Sequence, residues 1–455
     1  FMKAGEADHT QDECRMFKTI RKALLFICVI ISAPVFSATT QELQLTNGLK
    51  VIVREDHRAP VAFCSLWYKV GGAYESEGET GISHFLEHWM FRGTQKFKSG
   101  EFNRLIVTQG GDANAMTTED YTMYYETVPV TALSTVFQLE ADRMHNMTFD
   151  PAQFEQEKKI VMEERRMRVE DDPRALAYET FRSTAFETKP YHHPVIGWMT
   201  DIEHLTPNVV RTWYQTYYAP NNAVLIVVGD VKPDVVFALA KQYFGGIQSS
   251  ILPILQKQNA IRHSGKRHDT VNLPVQLSWL VMGYSVPTLA TINPVNQKQI
   301  AALLLAAGIL GSGENSVLVN ELVHEKKLAT SVDVEYNPYG LFPTLFTISA
   351  TPTNTSKLLE KGILDQMHAL ADTLLPEAAL NRAKAQLVSE YVYSQDSLMQ
   401  QATTLGVPEM AGLSWKTADT LIQAAQAVTP DDVQQVAQQY FHKGGLTVVT
   451  LEPKK

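Results

Sequence analysis

His84 and His88 stand four residues apart in the run Gly81-Ile-Ser-His-Phe-Leu-Glu-His-Trp-Met-Phe-Arg-Gly-Thr94, with Glu87 directly before the second histidine. On a helix, positions i, i+3 and i+4 share one face. The two imidazoles and the carboxylate would therefore point the same way. Two histidines suit a Zn2+ ion, and a carboxylate beside them suits a general base. This H-x-x-E-H order inverts the H-E-x-x-H zinc motif. The plainer alternative is a helix that happens to carry two histidines, so other parts of the chain must supply the rest of a site.

A catalytic zinc takes three protein ligands and keeps a position for water. The best source of a third is the helix that Asp150-Pro151 opens, with Asp as N-cap and Pro in the first turn. It carries Glu157 and Glu164, which are seven residues apart and hence two turns along one face. Alone, these glutamates and the neighbouring lysines and arginines would read as a solvated charged face.

The elements that must position these groups follow from periodicity and punctuation. Strand patterns occupy residues 50–53, 61–70 and 121–128, and an apolar strand runs from 223 to 228. Helices are expected after Pro129, Asp150, Asp172, Thr206 and Pro233. Residues 251–268 mix Pro, Gln, Lys, Ser and Gly without periodicity and read as a linker. Strand and helix patterns then recur, with strands at 275–284, 330–336, 344–350 and 446–451.

One internal similarity is quantitative. Thr206-Pro207 opens a helix ending at Tyr217-Tyr218, followed by a turn and a β-rich strand. Thr429-Pro430 opens a helix ending at Tyr440-Phe441, followed by a turn and another such strand. The offset from Thr to the first aromatic is 11 residues in both. Two generic Thr-Pro starts would not share the aromatic pair and the trailing strand, so a duplicated domain is expected. Only the first copy carries a histidine pair.

Composition limits the alternatives. A chain of 455 residues exceeds one ordinary core. The net charge of −9, with no basic stretch interleaved with aromatics, argues against nucleic acid as a partner. Met16 to Lys22 is a basic segment, Ala23 to Ala33 is apolar, and Val35-Phe-Ser37 supplies small residues before Ala38. That order is a cleavable export leader, with an unexplained extension over 1–15. The apolar run is short of a spanning helix, so no stable membrane span is expected after cleavage. Cleavage would leave Cys64 alone of Cys14, Cys28 and Cys64, hence no internal disulfide. The expected organisation is a leader over 1–37, a zinc-bearing domain over 38–250, a linker over 251–268 and a metal-free domain of the same fold over 269–455.

With 75 residues between His88 and Glu164, the motif resembles the pitrilysin/insulinase family of zinc peptidases, which includes mitochondrial processing peptidase. Asn47-Gly-Leu-Lys-Val51, Gly71-Gly72, Gly110-Gly111-Asp-Ala-Asn114-Ala115, Asp120-Tyr-Thr-Met-Tyr-Tyr125, Tyr218-Ala-Pro220-Asn221-Asn222, Gly229-Asp230-Val231 and Tyr243-Phe-Gly245 are similar to its other segments. The resemblance implies an α+β fold of two homologous α/β-sandwich domains, each a mostly antiparallel sheet flanked by helices. It implies one Zn2+ per chain held by His84, His88 and Glu164. Glu87 would be the catalytic base and Glu157 the supporting glutamate. Asn114 and Ala115 would pair with the backbone of an extended or unfolded peptide. The implied reaction is peptide-bond hydrolysis by a zinc-activated water.

The second half departs from that pattern. Active single-chain relatives carry an Arg and a Tyr there. Here Val317 and Val323 stand where arginines would be, and Thr330 stands where the tyrosine would be. Some members of the family divide these parts between two chains. This chain resembles the zinc-bearing one, so the expected partner is a second subunit of the same fold with the Arg/Tyr pair. A homodimer without the pair is one alternative. A non-catalytic assembly subunit is another, although a scaffold has no reason to keep His84, Glu87, His88 and Glu164 together. The leader places the mature chain in a bacterial periplasm.

Overall fold

Ala223–Gly229 is buried along its whole length, and a strand apolar on both faces needs cover on both. The computed structural model shows how that cover is supplied; it describes residues 39–187, 190–255, 265–292 and 296–454. The leader read over 1–37 and half of the linker, residues 256–264, lie outside the described residues.

The strands of the first half are Thr40–Gln44 (β1), Lys50–Glu55 (β2), Val61–Tyr68 (β3), Asp112–Thr117 (β4), Thr122–Pro129 (β5) and Ala223–Gly229 (β6). They form one sheet in the order β1-β2-β6-β3-β5-β4. The strands of the second half are Arg267–Leu273 (β7), Trp279–Val286 (β8), Ala329–Glu335 (β9), Thr344–Pro352 (β10) and Leu446–Pro453 (β11). They form a second sheet in the order β7-β11-β8-β10-β9. In each sheet one pair is parallel, β2 with β6 and β7 with β11. All other pairings are antiparallel. The two orders are the same once β1 is set aside. The strands that follow the paired Thr-Pro helices, β6 and β11, occupy equivalent places. The fold is α+β, with two α/β sandwiches related by duplication.

The side-chain period of two sorts each strand between two cores. Val51, Val53, Leu225 and Val227 face the helices of their own half. Ile52, Phe63, Trp67, Val224 and Ile226 face the opposite side, where they meet Ala402, Leu405 and Met410. Those three lie on the helix Leu398–Met410, far along in the second half. The exchange is reciprocal. The helix Pro173–Ala185 of the first half places Phe181 against Val281 and Val449 of the second sheet. Each sequence half therefore covers an open sheet face of the other.

A polar clasp adds to this exchange. Asp120, in the turn between β4 and β5, accepts from the Tyr191 hydroxyl at 2.8 and 2.9 Å and from Leu341 N–H at 3.1 Å. The tip of the β4–β5 hairpin is thus tied to the second half.

Some expectations need correction. The linker read over 251–268 ends too late, because β7 begins at Arg267. β7 is a polar edge strand, and nothing in its apolar pattern announces it. The strand placed at 275–284 begins only at Trp279. The helix expected after Pro129 opens with a 3-10 turn at Val130–Ala132, and its α-helical part is Leu133–His145. The helix opened by Asp150-Pro151 is α-helical over Pro151–Arg165, then widens into a π-helical turn at Arg166–Glu170.

At Gly406 the exchanged helix packs directly against the first sheet. A Cβ there would lie 2.6 Å from the Trp67 ring, which is wholly buried. Gly406→Val should therefore force the helix off the sheet and destabilise the chain by about 1–3 kcal/mol. Thermal unfolding measures this, and an unchanged midpoint would contradict the packing described.

Candidate metal centre

The segment Ile82–Trp89 is a helix with two distinct faces. Phe85, Leu86 and Trp89 are buried in the first core. The Phe85 and Trp89 rings lie 4.6 and 5.5 Å from that of Phe154, and the Trp89 indole donates to Thr148 O at 2.9 Å. Phe154 belongs to the helix Pro151–Arg165, so these aromatics set the two helices against each other. His84, Glu87 and His88 occupy the remaining face of the first helix. Glu157 and Glu164 face them from the second.

Glu75 caps the start of the first helix, its carboxylate accepting from Gly81 N–H at 2.7 Å and Ser83 N–H at 2.9 Å. An anion at this end also suits the helix dipole. Thr80 turns away and donates to Asp201 at 2.6 Å. Gly81 has φ +84 and Gly197 φ +86, and a Cβ on either would sit 2.4 Å from a carbonyl oxygen of the other strand of chain. Bare backbones thus lock the helix entrance against the loop before Trp198.

His84, His88 and Glu164 each offer one ligand atom, all within 4.8 Å of one another. Glu164 Oε2 lies 3.1 Å from His88 Nε2 and 3.8 Å from His84 Nε2. Ligands about 2.0–2.1 Å from a tetrahedral zinc stand roughly 3.3 Å apart, so the spacing fits the ion. Glu164 Oε2 is also buried without a hydrogen-bond donor aligned on it. A buried carboxylate oxygen in that position calls for a cation.

The electrostatics point the same way. Burial, with the charge of His88 added, pushes His84 down to about 4 and keeps its ring neutral, as a ligand requires. Burial also acts to lower His88, but Glu157 and Glu164 outweigh it and raise the ring to about 9. The carboxylates therefore favour positive charge at His88 Nε2. His88 Nδ1 lies 3.0 Å from Glu157 Oε1. A carboxylate only accepts, so Nδ1 carries the proton and Nε2 is left for a metal. Arg92 pairs with the other oxygen of Glu157. Burial raises the Glu87 carboxyl, while a hydrogen bond from the Thr117 hydroxyl works against this.

Thr117 ends β4, the edge strand of the first sheet, and the same strand carries Asn114 and Ala115. β4 pairs with β5 alone among the described strands. The Ala115 N–H is held by its neighbour's side chain, Asn114 Oδ1, at 2.9 Å. His192 and His193 stand apart from the cluster. His192 Nδ1 meets Phe186 O at 2.6 Å, and His193 is buried near Glu75. Val317 and Val323 pack on the second core, and the Thr330 hydroxyl donates to Thr351 O, so none of the three supplies a cation. A cavity of about 1000 Å3 lies between the halves, lined by Glu119, Arg182, Tyr191, Asp333 and Arg382 among others. None of His84, Glu87, His88 and Glu164 lines it.

Glu75, Thr117 and Arg92 were not found by sequence reasoning. Arg92 lies just past the end of the helix at Trp89, where helical spacing does not place it. Glu75 and Thr117 arrive from a loop and a strand and leave no local signal.

Glu157→Gln removes the charge that orients His88 and should weaken zinc binding about 10- to 100-fold while the fold persists. Competition with a chromogenic chelator measures this. Unchanged affinity would show that Glu157 does not support the ligand.

Residues 50–198 match the family model described as Insulinase (Peptidase family M16), and residues 204–387 match the one described as Peptidase M16 inactive domain. The chain is 30% identical over 432 residues to the zinc protease PqqE of Helicobacter pylori, covering 91% of this chain and 93% of that one. It is 24% identical over 396 residues to the uncharacterised zinc protease YmxG of Bacillus subtilis, covering 87% and 94%. Among solved structures, a protease from Helicobacter pylori superposes with a TM-score of 0.85 at 28% identity, over 91% of this chain and all of that one. The first half of the periplasmic protease PqqL of Escherichia coli gives 0.73 at 19% identity, over 91% and 93%, a likeness of fold. Two successive domain models and a relative matched nearly end to end place this chain in the insulinase family of peptidases, M16.

Proposed function

We propose that this chain is a zinc endopeptidase acting on extended or unfolded peptides, and that it is the metal-bearing subunit of a two-chain enzyme. The observation that carries the first part is one constellation. His84, His88 and Glu164 converge, Glu87 shares their face, and Glu87 is tied through Thr117 to a free sheet edge.

Zinc held by His84, His88 and Glu164 would supply Lewis acidity, activating water and polarising the scissile carbonyl. Glu87 would take the proton of the attacking water and hand it to the leaving amine. Its raised affinity for protons, from burial, suits that exchange. Thr117 fixes one oxygen of Glu87 and leaves the other for the proton. Glu157 holds His88 in the tautomer that ligates.

The free edge of β4 selects for shape. A peptide pairing with Asn114 and Ala115 would add a strand to the sheet, and only an extended segment can do so. The Ala115 N–H would exchange the Asn114 side chain for a substrate carbonyl. Main-chain pairing reads side chains weakly, which supports broad action on unfolded segments.

The second part rests on Val317, Val323 and Thr330, which leave the second half without the Arg/Tyr pair of single-chain relatives. The expected partner has the same fold and bears that pair. The leader supports export and a periplasmic site of action. Among the described residues no helix is long and apolar enough to cross a membrane.

Glu87→Gln should retain zinc and lose peptide hydrolysis by about 10²- to 10⁴-fold. Cleavage of an unfolded-peptide pool by the variant at the wild-type rate would remove Glu87 from the mechanism. A same-fold partner carrying the Arg/Tyr pair should raise the wild-type rate. Full hydrolysis by the purified chain, unchanged on adding such a partner, would sink the two-chain reading.

A further inference from the structure

Beyond Glu164 the helix changes character. Arg166–Glu170 form a π-helical turn, closed by Asp171 N–H donating to Arg166 O at 2.8 Å. Such widened turns re-aim side chains and recur at functional sites. Three arginines lie here, and they are used differently. Arg165 is buried, with both terminal nitrogens on Glu179 at 2.9 and 3.1 Å. Arg166 pairs with Glu163 at 3.0 Å, on the outer side of the helix. Arg168 has one ion pair among the described residues, Nε to Glu164 Oε1 at 3.1 Å, and its side chain is 73% exposed.

Glu164 is thus shared. Its Oε2 faces the two imidazoles, and its Oε1 faces the Arg168 guanidinium. Behind the larger effects of burial and of the site's own groups, the charge of Arg168 acts on His84, Glu87 and Glu164 alike. Its two terminal nitrogens remain open to water, one carboxylate away from the metal ligands. A guanidinium so placed can grip a carboxylate through two parallel N–H···O bonds. No cation is offered at Val317, Val323 or Thr330, so this is a positive group that the chain itself brings to the site.

We propose that Arg168 binds a carboxylate of the peptide close to the bond to be cleaved, and that this gives the site a preference for acidic peptides. The carboxylate is that of an acidic side chain or of the peptide's own C-terminus. The proposal rests on the peptidase reading for the location of the substrate. It does not require hydrolysis to be seen.

The test uses the full zinc-loaded chain carrying Glu87→Gln, so that peptides bind without being cut. Three labelled peptides of equal length are compared by fluorescence anisotropy: a neutral one with an amidated end, the same with one internal glutamate, and the neutral one with a free C-terminal carboxylate. At low salt one or both acidic peptides should bind about three- to fivefold tighter than the neutral one, and which does so identifies the source of the carboxylate. High salt should shrink the difference. Adding Arg168→Gln should abolish the preference with zinc content unchanged, and Arg168→Lys should keep part of it. Equal affinity for all three peptides, or no measurable binding of the acidic ones, overturns the proposal. So does loss of zinc in Arg168→Gln in step with the preference, since Arg168 would then only hold Glu164. Failure of the wild-type chain to hydrolyse any peptide would count against the peptidase reading and leave the binding preference standing.

Discussion

The packing of Phe85 and Trp89 on Phe154 is the contact on which the site depends. It sets two helices against each other at the separation the candidate ligands need. A slip of one helical turn moves a side chain by about 5.4 Å, more than the distance that now separates the ligand atoms. The same contact turns Glu157 toward His88 and leaves Glu87 pointing at β4. Aromatic pairs of this kind contribute about 0.5–1.5 kcal/mol each beyond their buried area. Their larger effect here is positional, because rings at three-four spacing on one face oblige the polar residues to share the other.

That logic explains what could be read from the chain and what could not. His84, Glu87 and His88 are local, and their period is visible in five residues. Glu157 and Glu164 are visible as a pair two turns apart, and the structure does bring them to the histidines. The duplicated Thr-Pro helices were legible because a capped helix followed by a buried strand leaves both chemical and spacing signals. β1 and β7 were not, since an edge strand with polar side chains takes its stability from pairing rather than from its own pattern. Glu75 escaped for a related reason. It caps the metal-bearing helix from a loop six residues before Gly81, where no helical period connects them. Thr80 has the type and place of a cap, but its hydroxyl donates to Asp201.

The exchange of helices between the halves is the least legible feature and has the widest consequence. A sequence divided at its linker suggests two self-contained domains. In the structure each sheet would expose an apolar face without the other half's helix. Leu405 and Met410 complete the core behind Phe63, Trp67 and Met123, and Met123 lies on β5, the one strand among the described residues that pairs with β4. The β4 edge, where we propose that a substrate pairs, is therefore backed by residues from the far end of the chain. The Asp120 clasp ties the same hairpin to Leu341. The second half is thus part of the structural support of the site, although the candidate ligands among the described residues all lie in the first half.

This arrangement separates two tasks that a peptidase must perform. Activating water would need a metal, a base and groups that orient them, and in the proposed reading all of these come from two helices and one strand end in the first half. Holding the peptide needs backbone pairing along β4 and positive charge for its carbonyls or carboxylates. In the proposed reading the second half supports the sheet but brings no cation at Val317, Val323 or Thr330. Val317 and Val323 pack against an apolar core, where a guanidinium would have to be paired or hydrated. Charge for the substrate would then come from another group, on this chain or on a partner. Arg168 can reach the site from the ligand-bearing helix itself, because a widened turn carries it past Glu164 into the open. Its position beside a metal ligand keeps the charge close to the reacting bond, and its exposure leaves it available to a substrate that arrives as a bare strand.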